Sequence, residues 1–328
     1  MNRRRITLPH IVAGIFLLIA LVAAFFLIKE IARSQKRDPS QATYRSIEET
    51  DWGSRIKLND KSYVQKDGLT TVLLLGIDDS KTPDPLVVGD GYRSDALVLL
   101  ILNDKTKTMQ TLSISRDTIT EVEMYDNKGV YFAKGTMQIN MQYAFGESPR
   151  QAAYLTKKTV SKLICGRRID AAAAVRMSGI PTIGDILGGI TLTMDEDYSY
   201  IDERWTKGAT FTLNGEELER FLRYRDIDEQ GSNERRLARQ EWLMQKLFDA
   251  LGSSSKTALA ETIFDKAADY IDTDLDADTI SRISTFQMDP VGLKIPGKSV
   301  AGERHDEFYV DEEALQELLL EIFYDPAP

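Results

Sequence analysis

The chain has few residues of the types that build disulfides and zinc sites. Among its 328 residues there is one cysteine, Cys165, and there are two histidines, His10 and His305. A single cysteine forms no disulfide within the chain and no thiolate cage for a metal, and two histidines do not complete a zinc site. His10 lies beside an apolar run at the N-terminus and His305 in a charged stretch. Catalysis by a histidine-activated serine is therefore disfavoured.

The chain also lacks an excess of basic residues. Its formal net charge is −10, with 41 Lys and Arg against 51 Asp and Glu. Non-specific binding to nucleic acid needs a net basic surface, so nucleic acid is not expected as a partner. With 42% hydrophobic and 28% charged residues, the composition is that of a globular chain and not of a disordered one. Any site for an anion must be a local cluster of cations.

One long apolar run stands near the N-terminus. Residues 11–28 read IVAGIFLLIALVAAFFLI and contain no charge, close to the roughly 20 residues that cross a bilayer. Arg3, Arg4 and Arg5 precede this run, which predicts a cytoplasmic tail at 1–10, a transmembrane anchor at 11–28 and all later residues outside the membrane. A cleaved signal peptide is the alternative. The length of the run and the charged pair that follows it, Lys29 and Glu30, favour an uncleaved anchor.

The remaining sequence predicts a stalk and one folded domain. Residues 29–68 are polar and mixed in charge, typical of a juxtamembrane stalk with one short helix. From residue 69 to 328, buried strands alternate with amphipathic helices, which favours a three-layer α-β-α sandwich with a mixed central sheet. The expected strands are 69–77, 95–102, 109–114, 190–194, 292–295 and 307–310. The expected helices are 149–164, 234–251 and 311–323, with one more that begins at Asn214.

A concentration of arginines stands out in this acidic sequence. Within 20 residues lie Arg220, Arg223, Arg225, Arg235, Arg236 and Arg239. Guanidinium groups bind phosphate oxygens in pairs, so Arg223, Arg225, Arg236 and Arg239 would suit a diphosphate if they converge. The alternative is a solvated helix face whose arginines pair with the neighbouring acids Glu216, Glu219, Glu234 and Glu241.

Charged residues also lie at the ends of three predicted strands. Asp78 and Asp79 follow the first strand, Arg93-Ser94-Asp95 begin the second, and Ser115-Arg116-Asp117 follow the third. Strand ends are where α/β folds place ligands. Carboxylates without histidine or cysteine favour a hard cation such as Mg²⁺ that shares substrate phosphates. For any one of these residues, ordinary turn chemistry is the competing interpretation.

Eight short motifs follow one another along the chain. They are Leu75-Gly76-Ile77-Asp78, Arg93-Ser94-Asp95, Ser113-Ile114-Ser115-Arg116-Asp117, Ile139-Asn140 with Tyr143-Ala144-Phe145-Gly146, Asp185-Ile186-Leu187-Gly188-Gly189, Leu213-Asn214-Gly215-Glu216, Arg223-Tyr224-Arg225 and Arg236-Leu237-Ala238-Arg239-Gln240. In order and spacing, over about residues 70–250, these motifs resemble the LytR-CpsA-Psr family of bacterial cell-wall proteins.

This resemblance implies an extracytoplasmic phosphotransferase that moves a glycopolymer, such as teichoic acid or capsule, from a polyprenyl diphosphate carrier to peptidoglycan. It implies Mg²⁺ or Mn²⁺ as the cofactor, held by Asp78 and Asp95, and Asp117 and Arg116 as catalytic residues. The implied diphosphate-binding residues are Arg93, Arg116, Arg223, Arg225, Arg236, Arg239 and Gln240. The protein would be a single-pass membrane protein with a cytoplasmic N-terminus and an extracellular catalytic domain.

Two positions depart from the family pattern. Asn233 stands where an aspartate is common, and Gln138 stands where a lysine is usual; both bear on acceptor binding. A membrane-anchored module that binds polyprenyl diphosphate lipids or regulates without turnover is the main alternative function. The acids favour the enzyme, since lipid capture does not need Asp117. A transcriptional regulator is disfavoured by the predicted topology. The alanines at 171–174 and the nearby Ile180, Ile183, Ile186 and Leu187 would line a lipid channel or belong to the core.

Overall fold

A computed structural model describes residues 54–58, 61–79, 83–84, 87–186, 188–225, 232, 235–236, 239, 266–275, 286–289, 291–302 and 306–327. The described residues fall into two compact units. Unit A comprises those within Lys29–Ala174, Asp272–Asp274 and Asp289–Pro328, and unit B those within Val175–Ile271 and Leu275–Met288. The single catalytic domain at 69–328 stays a prediction.

The described elements, in chain order, are strands and helices with short connections. The strands are β1 (Arg55–Leu58), β2 (Lys61–Gln65), β3 (Leu69–Asp78), β4 (Arg93–Asn103), β5 (Thr108–Ile114), β6 (Ile119–Tyr125), β7 (Tyr131–Gln138), β8 (Ala171–Arg176), β9 (Ile190–Thr193), β10 (Thr210–Leu213), β11 (Ile271–Thr273), β12 (Gln287–Met288), β13 (Leu293–Lys294), β14 (Gly297–Ala301), β15 (Asp306–Val310) and β16 (Tyr324–Pro326). The helices are α1 (Met141–Ala144), α2 (Pro149–Leu163), α3 (Ile180–Ile186), α4 (Gly215–Arg223) and α5 (Glu312–Phe323).

The central sheet of unit A is mixed, as the sequence predicted. Strands β3, β4 and β5 are consecutive neighbours and antiparallel, while β13 runs parallel to β5 and β8 lies beside β3. The apolar runs of β3 and β4 are buried, including Leu73, Leu99 and Leu100, each with no exposed surface. Residues of α2 and α5 belong to the same core. The mixed α/β class is thereby confirmed, and the three-layer arrangement stays a prediction.

The alanines of β8 are buried. Ala172 and Ala174 belong to the core cluster of unit A. This supports the second of the two interpretations offered by the sequence, in which these small residues are core.

The β6–β7 hairpin was not predicted. Its strands pair in antiparallel register from Ile119 opposite Gln138 to Tyr125 opposite Tyr131. The Gln142 side chain joins the hairpin to α1, since its Oε1 accepts from Glu123 N at 2.9 Å and its Nε2 donates to Glu123 O at 2.9 Å. These two hydrogen bonds fix β6 against α1.

The structure differs from the predicted stalk at residues 55–65. Here β1 and β2 form an antiparallel pair, and β16 adds to β2 from the C-terminal end of the chain. The alternation of half-buried and exposed residues in Arg55–Leu58 is too short and too polar to predict a strand alone. Ordered structure thus begins before Leu69, the residue at which the sequence predicted it to start.

Unit B contains the β9–β10 hairpin and the helices α3 and α4, around a core that includes Trp205 and Phe221. Helix α4 begins as predicted at Asn214, whose Oδ1 accepts from Glu217 N at 2.9 Å while Glu217 Oε2 accepts from Asn214 N at 3.1 Å. Gly215 lies so close to the Pro181 carbonyl that a Cβ atom would overlap it. This approach explains the glycine in the Asn214-Gly215 motif.

Two predicted helices lie largely or wholly outside the described residues: the anchor at 11–28 and the helix at 234–251. Among the residues that are described, no helix combines the length and the apolar character that a membrane span requires.

Candidate functional site

The charged motifs of unit A meet at one edge of the central sheet. Asp78 ends β3, Arg93 begins β4 and Ser115 follows β5. Because β3 and β5 both run antiparallel to β4, the ends of β3 and β5 lie at the edge where β4 begins. Asp78 is the register partner of Arg93 across the β3–β4 pair. The topology therefore brings the three motifs of unit A to the same end of the central sheet.

A β-bulge inserts Asp95 at this edge. Ile77 pairs with Ser94 and Gly76 with Ala96, so the β3–β4 register skips Asp95. Bulges re-aim side chains and are frequent beside active sites. Asp95 is only 4% exposed, and a buried carboxylate requires a partner.

Arg116 provides that partner. Its Nη1 lies 2.5 Å from Asp95 Oδ2, and the Asn140 amide donates to Asp95 Oδ1 at 3.4 Å. Arg116 Nε lies 3.4 Å from Asp117 Oδ1 and makes no hydrogen bond among the described residues. The guanidinium group thus carries one positive charge beside two buried carboxylates.

The loop that carries Arg116 and Asp117 is held by its own turn and by the residues after β7. Thr118 N and Oγ1 both donate to Ser115 O, at 3.1 and 2.7 Å. Ile139 N donates to Thr118 O at 2.8 Å, and Asn140 N donates to Arg116 O at 3.2 Å. These backbone bonds fix the Ile139-Asn140 motif against the Arg116-Asp117 motif.

Asp117 is 3% exposed and is contacted from three segments. Phe308 N of β15 donates to Asp117 O at 2.9 Å, and Asp117 N donates to Ser115 Oγ at 3.3 Å. Gln138 Nε2 donates to Asp117 Oδ1 at 2.7 Å. The sequence marked Gln138 as a departure that bears on acceptor binding and Asn140 as part of a motif. It predicted no contact for either residue, because their partners lie 21 and 45 residues away along the chain.

The oxygen atoms available as metal ligands at this edge suit a hard cation. Besides Asp78 and Asp95, it includes two buried oxygens that make no hydrogen bond among the described residues, Asn140 Oδ1 and Ser94 Oγ. Ser94 N donates to Asn140 O at 3.4 Å, which places the two residues side by side. Within the described residues, no group of three or more His, Cys, Asp or Glu side chains forms a metal cage. A Mg²⁺ ion here would need oxygens from its substrate, which is the usual manner of Mg²⁺ binding.

Arg93 and Arg116 lie at the sheet edge, and the other arginines predicted to bind diphosphate belong to unit B. Arg223 Nε lies 2.9 Å from Glu219 Oε1 one helical turn earlier, the kind of pairing that the solvated-face interpretation expects. Arg225 Nε donates to Ser232 Oγ at 3.1 Å. Arg236 is buried, and Gln240 lies outside the described residues.

Arg239 of unit B is 3% exposed and binds groups of its own unit. Its Nε donates to Phe221 O at 3.2 Å, its Nη1 to Tyr200 Oη at 3.1 Å and its Nη2 to Tyr224 O. The two carbonyls lie at the C-terminal end of α4, where cations are stabilised by the helix dipole. Arg239 therefore has a structural role at the end of α4, and its binding of diphosphate stays a prediction.

Comparison with known proteins gives consistent matches. The chain is 29% identical over 291 residues to the polyisoprenyl-teichoic acid–peptidoglycan teichoic acid transferase TagU of Bacillus subtilis (strain 168), covering 86% of this chain and 85% of TagU. The crystal structure of B. subtilis TagV matches with a TM-score of 0.57 at 26% identity, covering 80% of this chain and all of that one. TagT bound to LIIa-WTA has the same fold, with a TM-score of 0.53 at 23% identity over 78% of this chain and 90% of that one.

The family model described as LytR_cpsA_psr matches residues 29–318, which is most of the chain. The motifs at the sheet edge and on α4 lie within that range. The chain belongs to the LytR_cpsA_psr family.

Proposed function

We propose that the protein is a membrane-anchored extracytoplasmic phosphotransferase that moves a glycopolymer from a polyprenyl diphosphate carrier to peptidoglycan. The observation that carries the proposal is the buried pairing of Arg116 with Asp95 and Asp117 at the edge of the sheet. Taking a cation and two carboxylates out of water costs desolvation free energy, and charges held where water is excluded act more strongly on charge that develops in a transition state. The relative TagU is named for teichoic acid transfer to peptidoglycan, which supports a glycopolymer as substrate.

The proposed reaction is the attack of a peptidoglycan hydroxyl on the phosphorus next to the glycopolymer. A new P–O bond forms to the acceptor oxygen, and the bond from that phosphorus to the bridging oxygen of the diphosphate breaks. Polyprenyl monophosphate leaves, and the product is a phosphodiester. Asp117 orients the hydroxyl and accepts its proton, the part that a carboxylate fixed beside the nucleophile performs. Arg116 stabilises the negative charge on the phosphoryl oxygens, since such transfers depend mainly on positioning and electrostatics.

Asp78 and Asp95 would hold Mg²⁺ or Mn²⁺. When bound, the ion neutralises charge on the two phosphates. The buried oxygens of Asn140 and Ser94 support this assignment because they add hard donors beside Asp95. Arg93 is exposed at the start of β4 and is suited to contact a phosphate that approaches this edge. A role in diphosphate binding is carried over from the family resemblance to Arg223, Arg225, Arg236, Arg239 and Gln240.

The main experiment measures transfer by the full-length chain in detergent micelles. A labelled polyprenyl diphosphate-linked teichoic acid precursor is mixed with peptidoglycan, and label bound to peptidoglycan is counted. Asp117→Asn should lower the transfer rate about 10² to 10⁴-fold, the usual contribution of general-base catalysis, and should leave lipid affinity nearly unchanged. The matched control is Asp67→Asn, at a carboxylate that is 90% exposed, and it should transfer at the unmodified rate.

Two results would contradict the proposal. If the unmodified chain binds the lipid but transfers no label, the protein is the binding or regulatory module that the sequence left as the alternative. If Asp117→Asn transfers as fast as the unmodified chain, Asp117 is not the base.

The proposed topology places residues 1–10 in the cytoplasm and the folded part outside the cell. The support is the uncharged run at 11–28 and the arginines before it. Protease added to intact protoplasts should digest the folded part. Its complete protection, with digestion after lysis as the control, would overturn both the topology and the cell-wall role.

A further inference from the structure

Gln138 holds Asp117 in place through a side chain that uses both of its amide hydrogens. Gln138 Nε2 donates to Asp117 Oδ1 at 2.7 Å and to Asp306 O at 2.9 Å. Both partners are acceptors, so the nitrogen and not the oxygen of the amide must face them. The orientation of the amide is therefore determined by its surroundings.

The backbone around this amide is equally constrained. Gln138 is the last residue of β7 and pairs with Ile119, which lies two residues after Asp117. Asp306 begins β15, and two residues later Phe308 N donates to Asp117 O while Phe308 forms a parallel bridge with Thr118. The side chain of Gln138 thus joins the β6–β7 hairpin, the Asp117 loop and β15 at one point.

The charge of the groups around Asp117 gives a reason for a neutral donor. Arg116 lies beside Asp117 on the same loop and pairs with Asp95 of β4, and Asp306 lies on β15. A neutral amide fixes one carboxylate oxygen of Asp117 without adding positive charge. A carboxylate that is oriented but not neutralised keeps more of its ability to accept a proton.

We propose that Gln138 is a positioning residue that orients Asp117 for proton acceptance. The inference rests on the proposed function, in which Asp117 is the base. It adds that the rate of transfer depends on a hydrogen-bond donor at position 138, and that lipid binding does not.

Three substitutions separate donation from shape. Gln138→Met has similar length and no donor, Gln138→Glu has the same shape and a negative charge, and Gln138→Lys keeps a donor. We expect the single-turnover transfer rate to decrease in the order Gln, Lys, Met, Glu at position 138, with Gln138→Met about 10- to 100-fold slower than the unmodified chain. The lipid affinity of all variants should stay within about twofold of the unmodified value. The matched control is Gln110→Met on β5, since Gln110 Nε2 also donates to a carboxylate, that of Asp289, at 3.4 Å. It should transfer at the unmodified rate.

Thermal unfolding of the same variants distinguishes positioning from a structural role. The positioning role of Gln138 is wrong if the transfer rates of the variants follow their unfolding temperatures and not the presence of a hydrogen-bond donor. It is also wrong if Gln138→Met transfers as fast as the unmodified chain while Asp117→Asn is slow. In either case the role of Asp117 as the base stands. If Asp117→Asn itself transfers at the unmodified rate, the proposed base role fails, and the role of Gln138 fails with it.

Discussion

Arg116 Nη1 lies 2.5 Å from Asp95 Oδ2, and the two side chains are only 14% and 6% exposed. The two residues are 21 positions apart in the chain, Asp95 on the bulge of β4 and Arg116 after β5. Because each charge neutralises the other inside the protein, neither is expected to be replaceable alone.

The first prediction concerns this pair. Arg116→Met should lower the free energy of unfolding by about 3–5 kcal/mol, since it leaves the Asp95 carboxylate buried without its cation. The double variant Arg116→Met/Asp95→Asn should recover the part of that stability that depends on the Asp95 charge, and it should still transfer no glycopolymer. Urea unfolding followed by tryptophan fluorescence measures the first effect, and the transfer assay the second.

The control for this pair is Lys134→Met. Lys134 pairs with Glu121 at 2.8 Å on the exposed face of the hairpin, with side chains 44% and 51% exposed, where an ion pair contributes less than about 1 kcal/mol. Equal losses of stability in Arg116→Met and Lys134→Met would contradict the argument from burial.

The second prediction concerns the metal. Mn²⁺ titrated into the full-length chain with its diphosphate lipid should bind at one site, observed by electron paramagnetic resonance. Loss of a residue that hydrogen-bonds to a metal ligand weakens metal binding roughly 10- to 100-fold. Asp78→Asn changes a proposed ligand itself and should weaken Mn²⁺ binding by more than this. Asp79→Asn is the control, because it removes the adjacent carboxylate. Unchanged Mn²⁺ affinity in Asp78→Asn would remove Asp78 from the metal site.

The central strands were predictable because their sequences are nearly continuous apolar runs. The predicted 69–77, 95–102 and 109–114 lie within the observed Leu69–Asp78, Arg93–Asn103 and Thr108–Ile114. The start of α4 was predictable because Asn214 and Glu217 form a local capping box. Such signals need no knowledge of distant residues.

The β6–β7 hairpin was missed because its strands are partly exposed and mix apolar with polar residues, so neither contains a continuous apolar run. One signal was present. Residues Asp126 to Gly129 form a turn, with Lys128 N and Val130 N donating to Asp126 Oδ1, and a Gly-containing turn between two β-rich segments indicates a hairpin.

The candidate site was predictable only in part. The charged strand ends identified Asp78, Arg93, Asp95, Arg116 and Asp117, because they lie within local motifs. The contact of Gln138 with Asp117 depends on the hairpin register and on β15, 168 residues from Gln138. A relationship of this kind cannot be obtained from local spacing.

The third prediction concerns Arg239. Because its guanidinium group donates to Phe221 O, Tyr224 O and Tyr200 Oη, Arg239→Lys should lower the stability of the chain even without lipid. Hydrogen bonds from a charged group contribute about 1.5–3 kcal/mol each, and one ammonium replaces only part of the set. Scanning calorimetry should show a lower unfolding temperature. The control is Arg235→Lys at an exposed position.

Lipid affinity completes the test of Arg239. Measured well below the unfolding temperature, it should also fall in Arg239→Ala if the residue binds diphosphate as the family resemblance implies. Normal affinity in a folded Arg239→Ala protein would restrict Arg239 to its structural role at the end of α4.

The fourth prediction concerns the ion pairs that join β6 to α2. Glu123 is 7% exposed, and its carboxylate lies 2.8 Å from both Lys158 Nζ and Lys162 Nζ and accepts from Tyr125 Oη at 2.9 Å. Burial alone would raise its pKa, but these hydrogen bonds outweigh burial and lower the pKa of Glu123 from 4.5 to about 2. The difference corresponds to as much as about 3 kcal/mol of stability.

The sign of the pH dependence follows from the lowered pKa. The stabilisation by Glu123 is present above pH 4.5, where the unfolded carboxyl is ionised, and is lost as pH falls toward 2, where the folded one is protonated. Glu123→Gln should therefore be less stable than the unmodified chain by about 1–3 kcal/mol at pH 7. The charge of Glu123 alone causes this pH dependence. The difference in free energy of unfolding between Glu123→Gln and the unmodified chain should therefore shrink by about half or more at pH 3.

Urea unfolding of both proteins at pH 7, 4.5 and 3 measures this difference. The control is Glu121→Gln, at a carboxylate that is 51% exposed on the same strand. A difference that stays constant from pH 7 to pH 3 would show that Glu123 stabilises the hairpin by its shape and not by its charge.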